Sequence, residues 1–257
     1  MVIRRRVLFN MEIRFGELER MVKDGEPRND VMVKLEEILE NAGCKLLKES
    51  KSRRGNINVH YLSKDGKYVT TFIINPKGMC EACIYDVDVY KEYFAEGGKV
   101  ISLNGKDNNK NNNKNENEKK NERWDPVLWF KDKIRKMHRL VLGEAFVDWE
   151  PGGKEVDHIY HTHRCFIRET LRTCEGWQNR MNKPSKCGVG IGDSLEIAYD
   201  DFNYKPLQDF SETWYALILW KMLDIPDDEV AEYQREYMVK NHPESCVLYA
   251  GVLGGII

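Results

Sequence analysis

The chain has 257 residues, enough for one large domain or two small ones, with 41% hydrophobic and 32% charged residues. It contains no run of about 18 apolar residues, so no transmembrane helix is expected. Its start, MVIRRRVLFNMEIRF, lacks the apolar core and cleavage site of a signal peptide. Seven irregularly spaced cysteines suit reduced thiols better than disulfides. We therefore expect an intracellular, cytoplasmic protein with no membrane partner.

The net charge is −2, but its sign is spread unevenly. Residues 1–122 carry 23 Lys/Arg against 20 Asp/Glu (+3), residues 123–187 carry 13 against 9 (+4), and residues 188–257 carry 4 against 13 (−9). The first two-thirds of the chain is therefore the part expected to meet a polyanion.

Residues 1–78 are predicted to form a small α+β unit. The segment DVMVKLEEILENAG places apolar residues at helical spacing, and Gly43 supplies a stop for that helix. CKLLKES is then typical of a strand. NINVHYLSKDGKYVTTFIIN alternates around Asp65-Gly66, which is a strong hairpin signal.

Residues 79–187 are predicted to form a second unit. MCEACIYDVDVYKEYF predicts a strand and a short helix from about Val87. Residues 104–122 are almost wholly Asn, Lys and Glu, and cannot bury enough surface to offset chain entropy, so a disordered insertion is predicted there. RWDPVLWF then indicates a strand, MHRLVLGEAF a helix, VDHIYH a short strand and CEGWQNRMN another helix.

Residues 188–257 are predicted to form an acidic, mostly helical region. FSETWYALILWKML indicates a strongly apolar helix, with Trp214, Leu217, Leu219 and Trp220 expected in the core. Pro226-Asp227-Asp228 is predicted to open a second helix.

The adjacent pair Asp157-His158 indicates a chemical site. Adjacent strand residues point to opposite faces, so the two are poor candidates for equal metal ligands. In one consistent arrangement, Asp157 binds a divalent cation while His158, across a scissile phosphate, takes a proton from water. A hard cation such as Mg²⁺ needs further oxygen ligands, and the amide of Asn179 on the following helix supplies one.

The run from His138 to Pro184 resembles the HNH nucleases with a ββα-metal site, especially the homing-endonuclease type of phages and introns. The motifs that carry the resemblance are MHRLVLGEAF, VDHI and LRTCEGWQNRMNKPSKCGV. The resemblance covers about residues 84–189, with residues 104–122 as an insertion. It implies an α+β fold in which a ββα-metal nuclease core is flanked by the N-terminal unit and the acidic helical region.

The resemblance also implies roles for individual residues. His158 matches the general base, and Asp157 and Asn179 match the ligands of Mg²⁺ or another divalent cation. Thr170 stands where the family has the asparagine that positions the catalytic histidine. The polar turn that the family carries between its strands reads Cys165-Phe166-Ile167 here. The implied activity is hydrolytic cleavage of double-stranded DNA, by a protein expected to be a monomer.

Basic residues around this motif are candidate contacts to DNA phosphates. They are Lys131, Lys133, Arg135, Lys136, Arg139, Arg164, Arg168 and Arg172. The last three lie at i, i+4 spacing if their segment is helical. His138 has two interpretations, a structural histidine within the sheet or a phosphate contact.

Two further hypotheses stay open. Because Thr170 replaces the usual asparagine, the chain is alternatively a DNA-binding protein whose nuclease site has decayed. The third hypothesis is a zinc-stapled interaction protein, in which Cys80-x-x-Cys83 would supply two thiolates. The remaining ligands would come from His161, His163, Cys165, Cys174 and Cys187. A structural zinc is the weakest of these expectations, because lone cysteines are usually small buried hydrophobes.

Overall fold

The computed structural model describes residues 17–18, 20–22, 24–95, 99–105, 124–130, 133–143, 154–158, 164–176 and 214–226. These residues form a mixed α+β fold built mainly on sheet, which confirms the predicted class in its coarse form. The helices are α1 (Arg28–Asn41), α2 (Val87–Tyr93), α3 (Met137–Val141) and α4 (Trp214–Met222). None of the helices described is long and apolar enough to cross a membrane.

The ten strands form three sheets. They are β1 (Lys45–Lys51), β2 (Ile57–Leu62), β3 (Tyr68–Ile74), β4 (Cys80–Asp86), β5 (Ser102–Gly105), β6 (Trp124–Phe130), β7 (Lys133–Lys136), β8 (Glu155–His158), β9 (Cys165–Phe166) and β10 (Leu171–Cys174). The largest sheet has the order β1-β2-β3-β4-β9, the second is β5-β6-β7, and β8 pairs with β10. The central sheet therefore runs on across the predicted boundary at residues 78 and 79.

The first four strands form an antiparallel meander whose turns follow the sequence signals. The predicted hairpin at Asp65-Gly66 is confirmed: Gly66 has φ +75°, and the Asp65 carboxylate accepts hydrogen bonds from the Ser63 hydroxyl and the Lys67 amide. The predicted end of α1 is also confirmed, since Gly43 follows the helix with φ +85°. Glycine adopts this left-handed conformation without the steric cost of a Cβ.

Strand β9 joins the central sheet from a distant part of the sequence. It runs parallel to β4, with Ile84 opposite Cys165 and Tyr85 opposite Phe166. Its residues and the following Ile167 are buried. The apolar run Cys165-Phe166-Ile167 therefore supplies an edge strand of the central sheet and the buried residue that follows it.

Successive side chains of the central sheet point to opposite faces. Both of these faces are buried. On one face, α1 and α4 cover a cluster that includes Leu35, Phe72 and Leu219. On the other face, α2, α3 and β6 cover a second cluster that includes Tyr85 and Leu128. The predicted burial of Leu217 and Leu219 in α4 is confirmed, so part of the C-terminal region belongs to the core. Trp220 is only half-buried against this cluster, and the side chain of Trp214 lies outside the described part of the structure.

The second sheet is followed directly by the helix that carries His138. In this sheet, β5 pairs with β6 up to Gly105 opposite Trp124, so the Asn-rich segment joins two hydrogen-bonded strand ends. β6 pairs in turn with β7, and α3 begins at the residue after β7. The β6–β7 ribbon therefore continues directly into α3, whose His138 contacts His158 on β8.

Candidate functional site

The candidate site is built on the two-stranded antiparallel pair β8–β10. Its register places His158 opposite Leu171 and Asp157 opposite Arg172. Both members of the Asp-His pair are buried, with 5% and 6% of their surfaces exposed. The predicted strand at this motif is confirmed up to His158, the last residue of β8.

The imidazole of His158 is fixed by its hydrogen bonds. Its Nδ1 lies 3.1 Å from the carbonyl oxygen of Cys165. A carbonyl oxygen can only accept, so Nδ1 carries the proton in this bond and Nε2 presents a lone pair. This is the tautomer in which Nε2 can take a proton from water.

Two aromatic rings hold the His158 imidazole in place. Phe166 packs edge-on at 5.6 Å between ring centroids, and His138 packs edge-on at 5.3 Å with an interplanar angle of 81°. His138 Nδ1 also lies 3.4 Å from His158 Nε2. The structure thus places His138, which lies on α3, beside the proposed base.

The carboxylate of Asp157 binds a guanidinium. Arg172 Nε donates to Asp157 Oδ2 at 2.9 Å across the strand pair. A buried carboxylate is the hard oxygen donor that Mg²⁺ prefers, so the donor chemistry of Asp157 suits a divalent cation. A cation binding there would share or displace the charge that Arg172 supplies. The predicted second ligand, Asn179, lies outside the described residues.

Thr170 contacts the turn that supports His158. Its hydroxyl donates to the Ile167 carbonyl at 2.8 Å and lies 3.3 Å from Cys165 Sγ. The Cys165 carbonyl, in turn, is the acceptor for His158. Thr170 therefore positions His158 only indirectly. Its hydroxyl contacts Cys165, and the Cys165 carbonyl accepts the hydrogen bond from His158.

Four of the predicted basic contacts lie on β7 and α3. Lys136 is exposed at the end of β7, while Arg135 and Arg139 are half-buried. Burial lowers the pKa of Arg139, and the neighbouring charge of Arg135 lowers it further. An anion such as a phosphate would relieve this repulsion. Lys133 begins β7, and Lys131 lies outside the described residues.

The other three predicted contacts do not form a helical row. Their segment consists of β9, a short 3₁₀ turn at Arg168–Thr170 and β10, so the helical spacing is not realised. Each guanidinium binds a different carboxylate: Arg164 binds Glu81 at 3.0 Å, Arg168 binds Asp88 at 2.7 Å, and Arg172 binds Asp157. Arg164 is only 12% exposed. These arginines therefore serve internal ion pairs in the structure.

The cysteines of the zinc hypothesis are dispersed. Cys83 and Cys165 lie inside the central sheet, and burial raises the pKa of the Cys165 thiol to about 11. Burial also raises the pKa of Cys80, to about 12. Within the described ranges, no three His, Cys, Asp or Glu side chains gather into a metal-binding group. The remaining candidates, His161, His163 and Cys187, fall outside those ranges.

The chain was also compared with known proteins. No protein family, no curated protein and no solved structure matches it. The geometry of the site itself is therefore the basis for a functional conclusion.

Two contacts of the site were missed in the sequence analysis. The Arg172–Asp157 pair follows from the β8–β10 register, because opposite charges facing each other across an antiparallel pair attract. Assigning that register would have found it. The His138–His158 contact had no such signal, because His138 lies on α3 and His158 lies 20 residues later on β8.

Proposed function

We propose that the chain is a metal-dependent DNA endonuclease of the HNH, homing type, which hydrolyses phosphodiester bonds. The observation that carries the proposal is the hydrogen bond from His158 Nδ1 to the Cys165 carbonyl, which makes Nε2, 3.4 Å from His138 Nδ1, the proton-accepting nitrogen of the neutral imidazole. Asp157 lies next to this base in the sequence, on an antiparallel strand pair. These features are the ones that the resemblance assigns to a general base and a metal ligand.

In the proposed reaction, His158 Nε2 accepts a proton as a water molecule attacks the scissile phosphorus. The bond from phosphorus to the 3′ oxygen breaks, which leaves a 5′ phosphate on one side of the cut and a 3′ hydroxyl on the other. The edge-on rings of Phe166 and His138 restrict rotation of the imidazole, so Nε2 keeps its direction. Such positioning of a base is a large part of its catalytic value.

The proposed cofactor is Mg²⁺ or another divalent cation, held by Asp157 and Asn179. When bound, the cation supplies positive charge to the scissile phosphate and to the departing 3′ oxygen. Arg172 Nε donates to the Asp157 carboxylate at 2.9 Å and orients it. The protein thereby presents a fixed oxygen donor at the base of the site.

The partner in this proposal is double-stranded DNA. Arg135, Lys136 and Arg139 surround the approach to His138 and are the preferred phosphate contacts. Arg164, Arg168 and Arg172 join this surface only if their carboxylate partners release them. Phosphate binding by the first group accounts for affinity without reading sequence.

The proposal is tested by nicking of a supercoiled plasmid library that carries many target sequences. With Mg²⁺, the wild-type chain is expected to produce open circles that DNA ligase reseals, because the cut leaves a 5′ phosphate and a 3′ hydroxyl. With EDTA, no open circles are expected. Open circles that ligase does not reseal, or that form equally in EDTA, would contradict the proposed chemistry.

One observation favours a second candidate, a DNA-binding protein with a decayed nuclease site. The Thr170 hydroxyl is engaged by Ile167 and Cys165, and Arg172 binds the carboxylate on which the cation would sit. In this case the purified chain shifts plasmid DNA in a gel but yields no open circles with Mg²⁺, Mn²⁺ or Ca²⁺. The same assay therefore separates the two functions.

A further inference from the structure

An exposed apolar pair lies on the ribbon that leads to the site. Trp129 on β6 and Ile134 on β7 are register partners, and they are 58% and 56% exposed. Directly opposed residues of an antiparallel pair have Cβ atoms about 5 Å apart, so the two side chains form one continuous apolar surface. Large exposed hydrophobic side chains of this kind mark a contact surface when they are grouped.

The surroundings of this pair are basic. Residues 127–142 contain five Lys/Arg and one Asp. Lys136 is exposed, and it follows Ile134 by two residues, so both side chains leave the same face of β7. An apolar pair within a positive field suits a polyanion that also offers apolar faces. Nucleic acid has both, in its phosphates and its stacked bases.

The ribbon is also close to the proposed catalytic centre. Ile134 precedes His138 by four residues, and His138 Nδ1 lies 3.4 Å from His158 Nε2. At about 3.3 Å per extended residue, this separation is at most about 13 Å, or roughly four steps of about 3.4 Å along one DNA strand. The apolar pair is therefore within reach of DNA whose phosphate binds at His158.

We propose that Trp129, supported by Ile134, inserts as an apolar wedge into a base step of duplex DNA within about four base pairs of the proposed cleavage site. The inference rests on the proposed function for the identity of the partner. A two-stranded ribbon is narrow enough to enter a groove of the duplex. Apolar side chains that enter a base step partly unstack it and kink the DNA. The wedge opens the duplex where the scissile phosphate must turn toward His158.

The test measures DNA unwinding in the absence of cleavage. Closed circular plasmid, saturated with protein in EDTA, is relaxed by a type I topoisomerase that needs no metal, and the topoisomers are resolved after the protein is removed. Wild-type chain is expected to lower the linking number. Trp129→Ser is expected to lose at least half of this shift while still binding plasmid in a gel, and Trp129→Phe to retain part of it.

Matched controls separate the wedge from a general loss of apolar surface. Leu46 on β1 is 52% exposed and lies on another sheet, so Leu46→Ser is expected to leave the linking-number shift unchanged. A chain that shifts the linking number but never nicks DNA with Mg²⁺ would refute the nuclease and leave the wedge standing.

Three outcomes overturn the wedge. In the first, wild-type protein fails to bind plasmid or binds without changing the linking number. In the second, Trp129→Ser unwinds DNA as well as the wild type does. In the third, Trp129→Ser alters only the oligomeric state in sedimentation, which would assign the apolar pair to contact between copies of this chain.

Discussion

In the proposed function, Asp157 has both a structural and a chemical role. Its carboxylate is buried, and the Arg172 guanidinium lies 2.9 Å away on the opposite strand. In the absence of a cation, this pair neutralises a charge that burial would otherwise penalise. Arg172 would compete with a cation for this carboxylate, so it is expected to lower the metal affinity of Asp157.

Replacing Arg172 by Gln tests this competition. We expect Arg172→Gln to bind Mn²⁺ about 5-fold more tightly, because removing a competing pair worth about 1 kcal/mol changes an equilibrium by that factor. Binding is measured by titration calorimetry on the chain without DNA. Arg168→Gln is the matched control, since Arg168 binds Asp88 and is expected to leave affinity unchanged. Weaker Mn²⁺ binding by Arg172→Gln than by the wild type would contradict the competition.

His60 is the second residue with a distinct environment. It is fully buried in β2, with Nδ1 2.7 Å from the Thr71 hydroxyl and 3.2 Å from the Tyr85 hydroxyl. Burial lowers its pKa to about 4, and the charge of Lys48 contributes further. Since an unfolded chain protonates histidine near pH 6.5, the unfolded state binds the proton first as the pH falls.

The stability of the fold is therefore expected to decline between about pH 6.5 and pH 4. Above that window His60 is neutral in both states and makes no pH-dependent contribution. Within it, the free energy of unfolding falls by about 1.4 kcal/mol per pH unit, or about 3 kcal/mol in all. Urea unfolding at pH 7.5 and 4.5 measures the loss. His60→Gln is expected to show a loss smaller by about that amount, and an equal loss in the variant would refute the assignment to His60.

At the scale of elements, Glu81 ties three segments together. It is 2% exposed on β4, and it binds Arg28 of α1 at 2.7 Å and Arg164, just before β9, at 3.0 Å. Strand β9 carries the Cys165 carbonyl that orients His158. A buried carboxylate thus links the first helix to the strand that supports the site.

Breaking this link is expected to destabilise the fold. Glu81→Gln leaves Arg164 buried without its charge partner, which costs about 3 kcal/mol. The loss is measured as a lower urea midpoint. Lys34→Ala is the matched control, because it removes a more exposed ion pair with Glu17 that is worth at most about 1 kcal/mol. Equal midpoints for Glu81→Gln and the wild type would show that the link contributes nothing.

The elements also show which parts of the fold were predictable from sequence. The hairpin at Asp65-Gly66, the end of α1 at Gly43 and the start of α2 at Val87 were predicted correctly, because each depends on a local signal of a few residues. The parallel pairing of β9 with β4 was not predicted, because its partners are about 80 residues apart and no local pattern encodes their contact. The ion pairs of Arg164 with Glu81 and of Arg168 with Asp88 were not predicted for the same reason, because each pair joins residues about 80 positions apart.

At the scale of the whole molecule, the Asn-rich insertion is predicted to be dispensable. Its flanking residues, Gly105 and Trp124, are paired across β5 and β6, so a two-residue Asn-Gly turn can replace residues 106–123. Shortening the loop from 18 to 2 residues is expected to stabilise the fold by about 1–2 kcal/mol through a lower closure entropy. Nicking is expected to persist. Thermal unfolding measures the gain in stability, and the plasmid assay measures nicking. A shortened chain that remains folded but no longer cleaves DNA would show that the insertion has a function.

The uneven charge divides between segments of the chain. Residues 123–187, with a balance of +4, contain the ribbon, α3 and the candidate site, whereas residues 188–257 have a balance of −9. Helix α4 itself contains no acidic residue, and it packs on the opposite face of the central sheet from α3. The positively charged segment is therefore the part of the chain to which the proposal assigns DNA.

The central claim is that His158 is the base of a phosphodiester-cleaving site. The most direct measurement is the single-turnover rate of plasmid nicking with Mg²⁺ by the wild type and by His158→Ala. Loss of a positioned general base is expected to lower the rate about 10²–10⁴-fold, while circular dichroism and DNA binding stay unchanged. Equal rates for His158→Ala and the wild type would contradict the account.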